Sequence, residues 1–216
     1  MPLEERIEFG TARQEPIMDP DFSYPQGPDL KRVDLACGQR KKEGFIGVDR
    51  AQMEGIDIVH DLFTFPWPFE DNEIYEFRAE HFVEHLPMDI NGRDGLFQFM
   101  EEVWRCLMPG GTIEIIAPYF MSRAAWQDPT HRRAITDLTF HYFMHEVMEV
   151  TKIEHYAPKC NFKLLSRTFV LYPAWEGRAP EAQNYARESY WNVVQEIRFM
   201  LRKADLPLRK GDEVVR

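Results

Sequence analysis

No stretch of this 216-residue chain approaches the roughly 18 consecutive apolar residues of a membrane-spanning helix. Its first residues, Met1 to Glu8, are charged rather than signal-like, and the expectation is a cytoplasmic protein. Cysteine is scarce: Cys37, Cys106 and Cys160 are scattered, which gives neither a disulfide framework nor a zinc knuckle and suits reduced structural thiols. Basic residues are in deficit, 26 against 36 acidic, and a net charge of -10 repels a polyanion, so a nucleic-acid partner is disfavoured. Repeats and low-complexity tracts are absent. So is the fingerprint of three glycines ahead of a full helix, which argues against a Rossmann oxidoreductase.

What is there is enough for one sizeable core. The expected layout is an extended, proline-broken arm over residues 1 to 30 and a single domain over 31 to 216. The stretch Val33-Asp34-Leu35-Ala36-Cys37-Gly38 reads as a buried strand running into a glycine turn. Phe45-Ile46-Gly47-Val48-Asp49 reads as a second strand ending on an acid. Ligands of such parallel α/β sheets sit beyond the carboxyl ends of the strands. There Gly38 permits close backbone approach and Asp49 can accept from vicinal ribose hydroxyls. A nucleoside-containing cofactor is the first inference.

Between Gly38 and Phe45 there are too few residues for a crossover helix, so a loop or single turn is predicted. A pyrophosphate thereby loses its usual anchor, the helix N-terminus. Further strands are predicted at Ile56 to Val59, Ile74 to Ala79, Thr112 to Ala117 and Lys163 to Tyr172, the last within an antiparallel pair. His81 to Leu86 reads as a helical turn. The clearest helix spans Asp94 to Leu107, with Met108-Pro109-Gly110-Gly111 as its terminator. A helix is also expected over Phe143 to Val150, and Glu181 to Lys203 carries a helical pattern through Val193, Val194, Ile197 and Leu201.

With these pieces in order, the chain resembles the class I S-adenosylmethionine-dependent methyltransferases, strongly over residues 32 to 120. The segments Phe45-Ile46-Gly47-Val48-Asp49, Pro66-Trp67-Pro68-Phe69, Glu84-His85-Leu86-Pro87 and Asp128-Pro129-Thr130-His131 resemble a subgroup of small bacterial and phage members. The resemblance implies a Rossmann-like sandwich with a mostly parallel seven-stranded sheet, an antiparallel last strand and a shortened first helix. It implies S-adenosyl-L-methionine as cofactor, with S-adenosyl-L-homocysteine as product. Asp34, Leu35, Ala36, Cys37 and Gly38 would form the first motif, beside the methionine part. Asp49, followed by Arg50, would hold the ribose, Asp61 and Leu62 would meet the adenine, and Glu80 and His81 would lie near the reactive methyl. Two positions depart from the pattern: Ala36 and Arg40 stand where the family often has glycines.

Methyl transfer is an in-line displacement in which positioning supplies most of the catalysis. A hydroxyl acceptor also needs a base, and His81, His85 and His131 are the candidates. The segment from Pro118 to Phe143 is the expected acceptor pocket, with Tyr119, Phe120, Trp126 and Tyr142 as apolar walls. Arg123, Arg132, Arg133 and His131 would be its polar contacts. A small molecule or a glycan precursor would fit, without a membrane and with a homodimer as one assembly. His81-Phe82-Val83-Glu84-His85 also spells the inverted zinc-peptidase pattern, but no distant glutamate ligand is signposted, and no metal is expected. The alternative to an enzyme is a cofactor-binding regulator or partner subunit without an acceptor site.

Overall fold

A computed structural model describes residues 30 to 156 and 158 to 206. The arm expected over 1 to 30 lies, apart from Leu30, outside the described residues. Seven strands form one sheet: β1 (Arg32–Leu35), β2 (Ile46–Asp49), β3 (Ile58–Val59), β4 (Ile74–Glu80), β5 (Leu107–Pro118), β6 (Phe162–Leu171) and β7 (Val194–Lys203). Their spatial order is 3-2-1-4-5-7-6. β7 alone runs against the others, pairing antiparallel with both β5 and β6. The predicted sheet, with its single reversed strand, is therefore present.

Strands β1, β4 and β5 share one apolar face, while Asp34, Arg78 and Glu114 align in register on the other. Val33, Leu35, Phe77 and Ala79 are buried, as are Ile113 and Ile115 on β5. Helix α1 (Gly95–Cys106) covers this core with Leu96, Phe99, Met100, Val103 and Cys106. Asp94 caps it, its carboxylate accepting from the Leu96 and Phe97 amides. Trp67 wedges edge-on between Phe77 of β4 and Phe99 of α1. Each such side chain contributes about 1.5–3 kcal/mol by leaving water. Two shorter helices follow, α2 (His145–Thr151) and α3 (Pro180–Ser189). No helix of the described residues is long and apolar enough to cross a membrane.

No helix joins β1 to β2. Side-chain carboxylates hold the loop instead: Asp34 accepts from the Lys42 amide at 2.8 Å and Asp49 from the Gly38 amide at 3.0 Å. The loop lies so close to β2 that a Cβ on Gly47 would meet Cys37 Sγ at 2.9 Å.

Two expectations are corrected. Met108-Pro109-Gly110-Gly111 does not end α1. The helix stops at Cys106, Leu107 is already extended, and β5 begins there with a register shift against β4. The left-handed φ of Gly110, 77°, serves that irregular strand start. Glu181 to Lys203 is not one helix. α3 ends at Ser189, and a turn through Asn192 (φ 58°) leads into β7. Ile197, Phe199 and Leu201 are buried in alternation, the period of a strand, so sheet pairing overrode the helical spacing of Val193, Ile197 and Leu201.

Candidate functional site

The carboxyl ends of β1 to β4 open onto a cleft of about 520 Å³. Ala36 follows β1, Asp49 ends β2, His60 to Phe63 follow β3, and His81, Phe82, His85 and Pro87 follow β4. Thr130 and Arg132, from the segment after β5, close the far side. A second cavity of about 230 Å³ adjoins it through Ala36 and His81, and Asp34, Cys37, Arg40, Arg78 and Glu80 line it. Ala36 (φ 52°) and His81 (φ 51°) both hold left-handed backbone, which side chains rarely adopt. They stand one and two residues beyond the paired positions Leu35 and Ala79, where the two cavities meet. Strain of this kind gathers at functional sites.

Asp49 spends part of its carboxylate on structure, Oδ2 accepting from the Gly38 amide and Oδ1 from the Ala51 amide, each at 3.0 Å. Lone pairs remain, because two oxygens offer about four acceptor sites. Asp61 accepts from the Phe63 amide and is otherwise exposed at the cleft. Phe63 and Phe82 stack at 5.9 Å and give the cleft an aromatic wall. In the smaller cavity Arg78 bridges acids: Nη1 lies 3.4 Å from Asp34, Nη2 pairs with Glu80 and Nε lies 3.3 Å from Glu114. Burial pushes the Asp34 carboxyl above its ordinary range, against the Lys42 amide and Arg78, which pull it down. Burial, with Asp34 and Asp49 nearby, pushes the Cys37 thiol up to about 11.

His81 sits between two carboxylates, with Nε2 3.1 Å from Glu196 and Nδ1 3.4 Å from Glu84. Glu84 beside it, then Glu196, raise its pKa, which favours the imidazolium. The peptide carbonyl of Glu84 accepts from the Arg132 amide at 2.7 Å and the Arg133 amide at 3.2 Å. The turn after β4 is thereby joined to the segment after β5.

The predicted site residues are distributed as follows. Ala36, Asp49, Arg50, Asp61, Leu62 and His81 line the main cleft, and Asp34, Cys37 and Glu80 the smaller cavity. Leu35 is fully buried in the core, and Gly38 meets the site through Asp49. His85 and Arg132 border the main cleft, while His131 touches His85 and lines a separate cavity with Trp126. Tyr119 is buried against Phe120 and Phe169, and its hydroxyl is pushed up to about 12 by burial. Arg123 lies over Tyr172, and Tyr142 packs edge-on against Tyr156 in a groove apart from the cleft. Sequence reasoning missed Arg78 and Glu196. A charge inside the apolar run of β4 was the available signal for Arg78; for Glu196, read as helical, there was none.

No protein-family model matches the chain, and no curated protein matches it. Among solved structures it is similar to a SAM-dependent methyltransferase from Archaeoglobus fulgidus, at 19% identity over 81% of this chain and 86% of that one, with a TM-score of 0.54. A methyltransferase from Mesorhizobium loti aligns at 13% identity over 83% and 93%, TM-score 0.44. The geranyl diphosphate C-methyltransferase of Streptomyces coelicolor aligns at 12% over 83% and 74%, TM-score 0.47. Of these three, the Archaeoglobus likeness is near enough to bear on this chain. At that identity it establishes the fold: the Rossmann-like sandwich of the S-adenosylmethionine-dependent methyltransferases.

Proposed function

We propose that this chain is an S-adenosylmethionine-dependent methyltransferase whose acceptor is an oxygen or nitrogen of a small molecule or glycan precursor. The observation that carries the reading is Asp49, pinned by two backbone amides at the tip of β2 and open to the cleft beside Asp61. The donor set fits the cofactor. Acids that accept from hydroxyls and an amine line the cleft, Leu62, Phe63 and Phe82 supply apolar walls for a ring, and no crossover helix is there to seat a pyrophosphate.

When bound, S-adenosylmethionine supplies an electrophilic methyl on a sulfonium. Asp49 would accept from the ribose hydroxyls and Asp61 from the adenine amine, with Leu62 and Phe63 against the ring. Arg40 and Arg78, in the smaller cavity, would face the methionine carboxylate, and Asp34 and Glu80 its ammonium. His81, held by Glu84 and Glu196, is a positioning residue at the junction of the two cavities. The acceptor would lie against His85, Thr130 and Arg132, where Arg132 can clamp an anionic group.

Calorimetry with S-adenosylhomocysteine and with NAD tests the cofactor, and a screen of acceptors with radiolabelled methyl donor tests the transfer. The expected result is affinity for the homocysteine nucleoside, none for NAD, and label on at least one small acceptor. Affinity without transfer points to a binding subunit, and absence of affinity overturns the reading.

A further inference from the structure

A buried carboxylate and two imidazoles converge at the edge of the cleft. We propose that Glu84, His85 and His131 bind a first-row divalent transition-metal ion of the zinc type. A carboxylate oxygen of Glu84 and one ring nitrogen of each histidine lie within 4.8 Å of one another. Glu84 is 1% exposed, and neither of its side-chain oxygens has a hydrogen bond among the described residues. The polar atom beside it is His81 Nδ1, at the 3.4 Å edge of hydrogen-bond reach. A carboxylate so withdrawn from water is costly unless cations stand beside it.

The two histidines are oriented by what holds their other nitrogens. His131 Nδ1 lies 3.0 Å from the Ala125 carbonyl, which only accepts, so Nδ1 carries the proton and Nε2 the lone pair. His85 Nδ1 lies 3.0 Å from the Thr130 hydroxyl. That hydroxyl gives its single proton to Asp128 at 2.7 Å, so it accepts from His85 Nδ1–H and leaves Nε2 unprotonated as well. The rings meet edge to face with centroids 4.7 Å apart. A carbonyl behind one imidazole and a hydroxyl–carboxylate pair behind the other is the support that metal-binding histidines use.

Two imidazoles and one carboxylate leave one position of a tetrahedral ion open. Bonds of about 2.0–2.1 Å set the donor atoms about 3.4 Å apart, a closure within reach of side-chain rotation. Mg²⁺ and Ca²⁺ prefer all-oxygen ligands and are not the expected ions. His85 borders the cleft, so an ion held there would stand at the edge of the proposed acceptor side. There the ion would lower the pKa of a coordinated acceptor hydroxyl, whose proton passes to bulk water. That role rests on the methyltransferase reading; the binding itself does not.

Equilibrium dialysis of the full chain against ZnCl₂, with metal analysis and visible spectra of the Co²⁺ form, tests the site. One ion per chain is expected, not displaced by excess Mg²⁺. Glu84→Gln and His131→Ala should weaken it at least about 10-fold, and Asp128→Asn, whose carboxylate reaches the site only through the Thr130 hydroxyl, about 10- to 100-fold. His155→Ala, an exposed histidine elsewhere, should leave it unchanged. Circular dichroism of each variant separates lost ligation from lost fold. The proposal is overturned by no stoichiometric zinc, by zinc indifferent to Glu84→Gln and Asp128→Asn, or by zinc lost in His81→Ala but kept in His131→Ala. Affinity for S-adenosylhomocysteine, measured in parallel, reports on the cofactor separately, since zinc bound without it sinks that reading and leaves this one.

Discussion

The amide of Gly38 stands 3.0 Å from Oδ2 of Asp49, so the loop after β1 and the tip of β2 are one unit. Removing this carboxylate takes away both the proposed ribose acceptors and the tie that shapes the loop. Hydrogen bonds to a charged group contribute about 1.5–3 kcal/mol each. Asp49→Ala is expected to weaken S-adenosylhomocysteine binding by about 10- to 100-fold in calorimetry. Unchanged affinity would place the nucleoside elsewhere.

Asp34 makes stability fall as pH rises through a window above the ordinary carboxylate range. Its folded-state pKa is raised, chiefly by burial. Between the unfolded and folded values the native chain keeps a proton that the unfolded chain has lost, so unfolding is favoured as pH climbs. The contribution is present in full below the unfolded value and gone above the folded one. Urea unfolding of the ligand-free chain between pH 4 and 7 should show a decline that Asp34→Asn reduces, and parallel curves for the two proteins would refute the assignment.

Cys37 borders the smaller cavity, yet it should react slowly. With its thiol pushed up to about 11, the thiolate is about 100-fold rarer at pH 8 than in an ordinary cysteine. Cys106 and Cys160 are buried. Alkylation by iodoacetamide followed by peptide mapping is expected to find Cys37 first, to speed up about tenfold per pH unit, and to slow when S-adenosylhomocysteine is added. Fast labelling at pH 7 would contradict this environment.

Gly111 allows β5 to close on β4. A Cβ there would stand 2.9 Å from the Tyr75 carbonyl oxygen and 3.0 Å from that of Met108, both backbone atoms. Gly111→Ala should therefore destabilise by about 1–3 kcal/mol, read from the urea midpoint at unchanged slope. A shift within a few tenths of a kcal/mol would mean the strands give way freely.

The parallel half of the sheet was legible because β1, β2, β4 and β5 carry β-branched and apolar residues at alternating or consecutive positions and sit between turn formers. β7 was not, since Val193, Ile197 and Leu201 satisfy a helical spacing while Ile197, Phe199 and Leu201 satisfy a strand, and only the partners β5 and β6 decide between them. In the candidate site, an acid at or just past a strand end is a local signal, which is why the sequence pointed to Asp49 and Asp61, both of which line the cleft. The meeting of Glu84 with His131 is not local. It depends on how the segment after β5 docks on the turn after β4, and nothing in either stretch alone records it. Tyr119 and Tyr142 looked like pocket walls by composition, but burial in the core and an aromatic pair with Tyr156 are equally ordinary uses of a tyrosine.

The carbonyl of Glu84, covered at once by the Arg132 and Arg133 amides, has a historical implication. A descendant that rebuilt the neighbourhood of Arg132 to admit a different guest would have to keep that oxygen covered or let the β4 corner drift, and with it His81. Only where that cover is lost would the change of guest carry the placement of His81 with it.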